Sequence, residues 1–176
     1  MPSPLAHLTI GTLIADTQRT PRTDRRSRHL LLAICLFFSI APDLDVIPGL
    51  IAGDLNAYHN QASHSLVFAV AVGVLFAPMV SSLLPAFSIK RSFLIVSGCY
   101  TAHILMDVLV RGRGVLLFWP FSDQRVASPI PLFYGVERSY GFWTAHHLIT
   151  LANEAVFIAI VAALYLRFRR TGPSSR

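Results

Sequence analysis

Residues 64–87 form an apolar run that contains no Asp, Glu, Lys or Arg. A helix rises about 1.5 Å per residue, so this run can cross the roughly 30 Å hydrocarbon core of a bilayer. Of the 176 residues, 53% are hydrophobic and 14% are charged, whereas soluble domains carry about 25% charged residues. The sequence therefore predicts one integral membrane domain over residues 1–176.

Shorter and longer apolar segments flank this run. Residues 5–15 and 29–41 are too short to span, and the second of them stops at Pro42 because proline disfavours helix continuation. Residues 92–110 and 144–166 are long enough to span. We predict an all-α, polytopic membrane helical bundle of about four to five apolar segments, the first two short.

Two finer expectations concern the start of the long run. Pro48, Gly49 and Gly53 should break the apolar fragment 46–52. Ser63 should act as the N-cap of the helix that begins at His64.

The basic residues indicate how the segments are oriented. Eleven of the fifteen Lys and Arg residues lie in residues 16–28, at the turn of Lys90 and Arg91, and in the tail 167–176. Because Lys and Arg favour cytoplasmic loops, these three regions are placed in the cytoplasm. The net charge of +6 then reflects topology and contacts with anionic lipids, so membrane lipids rather than nucleic acid are the expected partners. A bacterial inner-membrane location is expected.

The segment 92–110 contains an imidazole and a carboxylate at helical spacing. His103 and Asp107 are four residues apart, so both side chains leave one helix face about one turn apart. This spacing suits a metal site, although it also occurs as a plain hydrogen-bonded pair. Acidic and imidazole groups at membrane depth are costly and tend to be paired or to face a polar cavity.

Alternation of the segments brings the other candidate ligands to the end where Asp107 lies, opposite to the basic regions. We therefore predict a polar cavity that is open to the non-cytoplasmic face. Mixed imidazole and carboxylate ligands suit one or two divalent ions, with zinc favoured and manganese or iron as alternatives. Taken separately, the two Asp residues after Pro42 could form an ordinary acidic turn, and His59 and His64 could be surface residues. The predicted ligands are His7, Asp43, Asp45, His59, His64, His103 and Asp107.

The last segment carries weaker candidates. His147 and Glu154 are seven residues apart on one helix face, so they could hydrogen-bond to the metal ligands without binding the ion themselves. His146 and His147 could equally anchor the helix at the membrane interface.

The chain resembles the YdjM-like family of LexA-regulated, membrane-bound, metal-dependent hydrolases, whose activity is itself a prediction. The family usually has Arg directly after the first histidine of its pair, where this chain has Asn60. The resemblance rests on His7, Pro42-Asp43-Leu44-Asp45, the histidine pair ending in His64-Ser65, His103-x-x-x-Asp107, and Gly114 to Phe121.

The resemblance and the residues together lead to a functional expectation. We expect a membrane-embedded metal-dependent hydrolase that cleaves a phosphoester of a lipid or lipid-linked substrate with a metal-activated water. Asp43 or Asp45 could serve as the catalytic base. The alternatives are a non-enzymatic protein that binds a metal or conducts ions or lipid head groups, and a purely structural hydrogen-bonded network.

Overall fold

Six α-helices account for most of the computed structural model, which describes residues 3–20, 23–54, 58–135 and 145–171. The described residues contain no β-strand, which confirms the all-α prediction. Two short 3₁₀ turns, Ala41–Asp45 and Ala62–His64, connect helices near the candidate ligands. The helices are α1 (Pro4–Thr17), α2 (Arg25–Ile40), α3 (Val46–Ala52), α4 (Leu66–Leu83), α5 (Ile89–Val108) and α6 (Ala145–Thr171).

Three helical stretches among the described residues are long and apolar enough to cross a membrane: Arg25–Ala52, Leu66–Leu83 and His147–Arg170. The first is longer than expected. Helix α2 ends at Ile40, just before Pro42 as predicted, but the 3₁₀ turn and α3 continue the helical path to Ala52.

The predicted break at Pro48 and Gly49 was wrong. Pro48 lies in the first turn of α3, where a helix has no internal partner for its backbone N–H groups. Gly53 ends the helix as predicted, in the left-handed conformation with φ of 79° that glycine adopts readily.

The predicted cap at Ser63 was also wrong. Helix α4 begins two residues later, and the Ser65 hydroxyl accepts the hydrogen bond of the Phe68 N–H at 3.1 Å. Ser63 lies in the preceding 3₁₀ turn, where its hydroxyl donates to Asp45 at 2.6 Å. The side chain that was expected to start a helix therefore supports an acidic group of the site.

Helix α5 lies at the centre of the bundle. It packs against α4, α2 and α1, and half of its residues are buried. The sequence predicted this helix as a span, but its polar residues keep it outside the three most apolar stretches. Its packing against three helices allows it to carry His103 and Asp107, which are buried.

Arg91 and Arg169, from two of the three basic regions, lie at the end of the bundle opposite to the candidate ligands. At one end Arg91, in the first turn of α5, donates to the Gln18 carbonyl after α1 at 2.7 Å. At the same end Arg169 of α6 lies 3.5 Å from Asp16 of α1. The two 3₁₀ turns, one after α2 and one before α4, meet the last turns of α5 at the other end.

Candidate metal centre

Four separate segments deliver five imidazole and carboxylate side chains to one buried point. Helix α1 supplies one, the two 3₁₀ turns supply one each, and α5 supplies the pair at helical spacing. Their side chains are 0–1% exposed, apart from Asp43 at 14%. The five residues, called the inner cluster below, are His7, Asp43, His64, His103 and Asp107.

The orientation of the His103 ring is set by a backbone carbonyl. Its Nδ1 lies 2.7 Å from the Ser39 oxygen, and because a carbonyl only accepts, Nδ1 must carry the proton. In the neutral imidazole the lone pair is then on Nε2, which faces the cluster 3.5 Å from Asp43 Oδ1 and 3.7 Å from Asp107 Oδ2. This is the state in which an imidazole binds a metal.

His64 is oriented in the same manner by a carboxylate. Its Nδ1 lies 3.1 Å from Asp45 Oδ2. Its Nε2 lies 3.2 Å from Asp107 Oδ2 and 3.7 Å from Asp43 Oδ1. A carboxylate behind a histidine is the arrangement that commonly fixes metal-binding imidazoles.

His7 borders the other members of the inner cluster. Its ring stacks on that of His103 with centroids 3.8 Å apart and planes inclined by 18°. Its Nε2 lies 3.6 Å from Asp107 Oδ1. Asp43, His64, His103 and Asp107 each offer an atom within 4.8 Å of the others, so these four could hold an ion with His7 as a neighbouring fifth group.

The inner cluster lacks hydrogen bonds where a protein normally has them. Buried without a hydrogen-bond partner are Asp43 Oδ1, His64 Nε2, His103 Nε2, both Asp107 oxygens and both His7 nitrogens. More than about 90% of buried polar groups are ordinarily satisfied. Nitrogen and oxygen donors that converge in this way fit a divalent cation such as zinc, manganese or iron.

Asp45 and His59 form a second layer beside the inner cluster. Asp45 Oδ1 lies 2.8 Å from His59 Nδ1, and Asp45 Oδ2 accepts from Asn60 N at 3.1 Å and from Ser63. Both carboxylate oxygens are therefore engaged in holding neighbours. Asp45, His59 and His64 are also close enough to hold an ion of their own, and His59 Nε2 is buried without a partner.

The carboxylates determine the charge state of His64. Burial alone lowers the pKa of His64, but the nearby carboxylates of Asp107, Asp43 and Asp45 outweigh it and raise that pKa well above its usual value. A proton on His64 and a metal cation would thus compete for the same carboxylates.

Among the described residues, the candidates of the last helix are not in the groups that could hold an ion. Glu154 is fully buried, and it accepts from the backbone N–H of Ser3 at 2.5 Å and from the Ser3 hydroxyl. It therefore fixes the start of α1, one turn before His7. His147 is partly buried in α6, and the side chain of His146 lies outside the described residues.

Sequence reasoning missed three groups of the site. Ser39 acts through its backbone oxygen, which no side-chain pattern reveals. Arg113 and Arg125 donate to the carbonyls of His59 and Asn60. These two arginine contacts link segments that are more than fifty residues apart in the sequence. The four basic residues that the sequence places on the side of the predicted ligands were nevertheless a visible signal of basic groups there.

The fold and the cluster define a class: an all-helical integral membrane protein with a buried His and Asp centre that could hold a metal ion. A family model described as YdjM inner membrane protein matches residues 1–173. The chain belongs to the YdjM family, as the sequence motifs indicated, and it is an integral protein of the inner membrane.

A relative in Escherichia coli (strain K12), inner membrane protein YbcI, is 31% identical over 73% of this chain and 73% of its own length. No solved structure matches the chain.

Proposed function

We propose that this protein is a metal-dependent hydrolase that cleaves a phosphoester of a lipid or lipid-linked substrate. The observation that carries the proposal is the set of buried, unsatisfied nitrogen and oxygen atoms that converge in the inner cluster. Leaving several such groups without partners costs about 1–3 kcal/mol each, so they call for a ligand that satisfies them together. A divalent cation does so with these donors.

The candidate ligands fall into two groups, each of which could hold one ion. His64, His103, Asp43 and Asp107 would hold the ion, and His7 lies beside them. A second ion would fall on Asp45, His59 and His64. When bound, a divalent ion lowers the pKa of its water and polarises a phosphoryl oxygen.

Asp43 is the better placed of the two proposed bases. Its Oδ1 has no hydrogen bond, and its side chain is the most exposed of the inner cluster. If Asp43 Oδ1 does not hold the ion, it can instead accept a proton from a water that enters at this point. Asp45 has both oxygens engaged, so it serves to orient His59 and His64.

A lipid substrate is supported by the loop that follows α5. The Leu117 carbonyl accepts from Leu66 N at 3.0 Å, which holds this loop two residues from His64. Phe118 and Phe121 of the same loop are 51% and 85% exposed. Aromatic side chains at this place suit the membrane interface, where they would border the path of a lipid or simply anchor the protein.

The test is the metal content of detergent-purified protein by elemental mass spectrometry, with phospholipid turnover measured on the same samples. Wild type should carry one or two equivalents of zinc, manganese or iron, and the His103→Ala, Asp107→Asn variant should lose both metal and turnover. His29→Ala, at the opposite end of the bundle, is the control and should change neither. Wild type without metal, even after reconstitution, would overturn the hydrolase.

One observation favours a second candidate, a metal-binding protein without catalysis. Four of the five inner groups are almost fully buried, and closed ligand sets are typical of structural metal sites. Retained metal with no turnover on any phospholipid would support this candidate, as would metal-coupled flux into vesicles.

We also propose that the centre opens to the non-cytoplasmic face. Support comes from the basic residues at the opposite end of the bundle. A cysteine at Gln124, in the exposed loop near the site, should react with an impermeant reagent added to intact spheroplasts. A cysteine at Arg26 should react only after lysis. The reverse pattern would overturn this orientation.

A further inference from the structure

The depth of the metal centre in the membrane follows from the helices that carry it. Helix α5 has Arg91 in its first turn, and His103 lies about 18 Å further along the helix. Helix α2 has Arg28 in its first turn, and Asp43 follows about 22 Å further along. Because the hydrocarbon core of a bilayer is roughly 30 Å thick, both paths place the inner cluster inside the leaflet that lies away from these arginines.

The protein surface beside the acidic turn Ala41–Asp45 is apolar. Leu44, between the two acidic residues of the turn, is 45% exposed. In α3, which follows directly, Ile47, Leu50 and Ile51 are 50%, 64% and 83% exposed. The next charged residue is Asp54, after the helix has ended. The apolar surface therefore extends beyond the acidic turn rather than ending at it.

The membrane accounts for what covers this surface. The stretch Arg25–Ala52 is one of those apolar enough to span, and it includes the acidic turn and all of α3. Helix α3 adds about 10 Å to the path beyond the turn. Since the exposed face of α3 is continuous with the spanning stretch, lipid chains rather than water adjoin the turn.

The inner cluster is most open on the side of this same turn. The side chains of its other four members are 0–1% exposed, whereas that of Asp43 is 14% exposed. Asp43 precedes Leu44 directly, and α3 begins three residues after Asp43. A molecule that reaches the centre at Asp43 therefore arrives past an apolar surface within the leaflet.

We propose that the metal centre opens sideways into this leaflet, past Leu44 and α3, and that its substrate is an intact phospholipid that enters without leaving the bilayer. This inference rests on the proposed function and narrows it, because it replaces a water-borne phosphoester by a lipid of the surrounding leaflet. The phosphate group of a phospholipid lies at the edge of the hydrocarbon core, close to the depth of the inner cluster. The acyl chains can thus stay in the leaflet while the phosphate group reaches the ion.

The first test identifies the medium around Leu44 and needs no turnover. A nitroxide is attached to a cysteine at Leu44, and electron paramagnetic resonance is recorded in zinc-containing vesicles with oxygen or a soluble nickel chelate as the relaxing agent. The label should collide with oxygen and be shielded from the chelate, as should a label at Leu75, which is exposed in the middle of α4. A label at Gln124, in the exposed loop, should show the reverse. Cys35 and Cys99 are buried, and the unsubstituted protein checks that they do not react.

A label at Leu44 that meets the nickel chelate as readily as the label at Gln124 overturns the sideways opening. Should the Leu44 substitution prevent folding, a label at Ile47 replaces it, with the same expected result and the same contradicting one.

The second test compares one phospholipid head group in two forms, on long chains in vesicles and on short chains dissolved as monomers. The Ile47→Ser, Ile51→Ser variant should lower kcat/KM for the vesicle lipid about tenfold more than for the dissolved analogue, because it removes apolar contacts with the leaflet. The Ile160→Ser, Leu164→Ser variant removes two exposed side chains of the same spacing from α6 and is the matched control. It should behave as wild type does on both forms.

Equal losses on the two forms, or no loss on either, contradict the entry of lipid past α3. The proposed function is judged separately from metal content and wild-type turnover. A label at Leu44 in lipid, in protein without metal or turnover, would support the sideways opening and contradict the hydrolase. A label at Leu44 in water, in an active hydrolase, would overturn only the sideways opening.

Discussion

Asp16 and Asp107 are the same chemical group at opposite ends of the bundle, in opposite surroundings. Asp16 lies 2.7 Å from Arg19 Nη1 and 3.5 Å from Arg169 Nη1, and both arginines are well exposed. Asp107 is buried and neither of its oxygens has a hydrogen bond. The protein thus supplies its own cations at the basic end, whereas at the other end it gathers imidazoles and carboxylates that could hold a cation from outside.

The largest expected effect comes from neutralising each aspartate in turn. Asp107→Asn should weaken metal binding by more than about a hundredfold, because the loss of even a supporting residue costs 10–100-fold. Asp16→Asn should leave metal binding unchanged, since exposed ion pairs contribute only about 0–1 kcal/mol to stability. Both are measured by competition with a fluorescent chelator. Equal affinities in the two variants would contradict the distinction between the ends.

Removal of the ion should destabilise the site end. A ligand present at about 100 times its Kd stabilises the folded state by about 2.7 kcal/mol, so the Tm of wild type should fall when a chelator is added. The Tm of Asp107→Asn should be insensitive to the same chelator. A wild-type Tm that does not respond would show that the unsatisfied atoms are tolerated without a metal.

Much of the inner cluster could be predicted because histidine and aspartate in an apolar sequence are readily recognised as candidate metal ligands. His103 and Asp107 share a helix face by spacing alone, and charge bias placed the other imidazoles and acids at the same end. Whether each of them binds a metal stays a prediction. The sequence could not predict which groups orient the imidazoles, because the contacts of Asp45 and Ser39 depend on how the turns fold.

The same reason explains the errors in the fold. Pro48 was read as a breaker, yet proline is harmless in the first turn of a helix. Ser63 and Ser65 are both acceptable N-caps, and local sequence does not choose between them. The neighbouring Asp45 engages Ser63, so a residue eighteen positions away decides where α4 begins.

Replacing Asp45 should have an intermediate effect on metal affinity, which compares a residue that orients imidazoles with the proposed ligand Asp107. Asp45→Asn keeps the shape of the side chain but weakens its hold on His64 and His59, so metal affinity should fall by about 10–100-fold, less than for Asp107→Asn. Asp123→Asn, an exposed change in the loop after α5, is the matched control and should have no effect. A loss as large as that of Asp107→Asn would indicate that Asp45 binds the ion directly.

The smallest effect should come from the middle of α1, between the two ends. A Cβ at Gly11 would lie 2.5 Å from the Ser39 hydroxyl and 2.9 Å from the Cys35 oxygen, whereas nothing lies within 4 Å of a Cβ at Gly98. Gly11→Ala should therefore destabilise the fold by about 1–3 kcal/mol through overpacking, and Gly98→Ala should not. Both are compared by thermal unfolding.

The metal affinity of Gly11→Ala tests whether packing in the middle of α1 affects the ligand end. The Ser39 carbonyl orients His103, and α1 carries His7, so a displacement at Gly11 acts on both imidazoles. Weaker metal binding together with lower stability would mean that helix packing positions the ligands. Lower stability with unchanged affinity would mean instead that the ligand end holds its geometry through its own hydrogen bonds, independently of how closely α1 packs on α2.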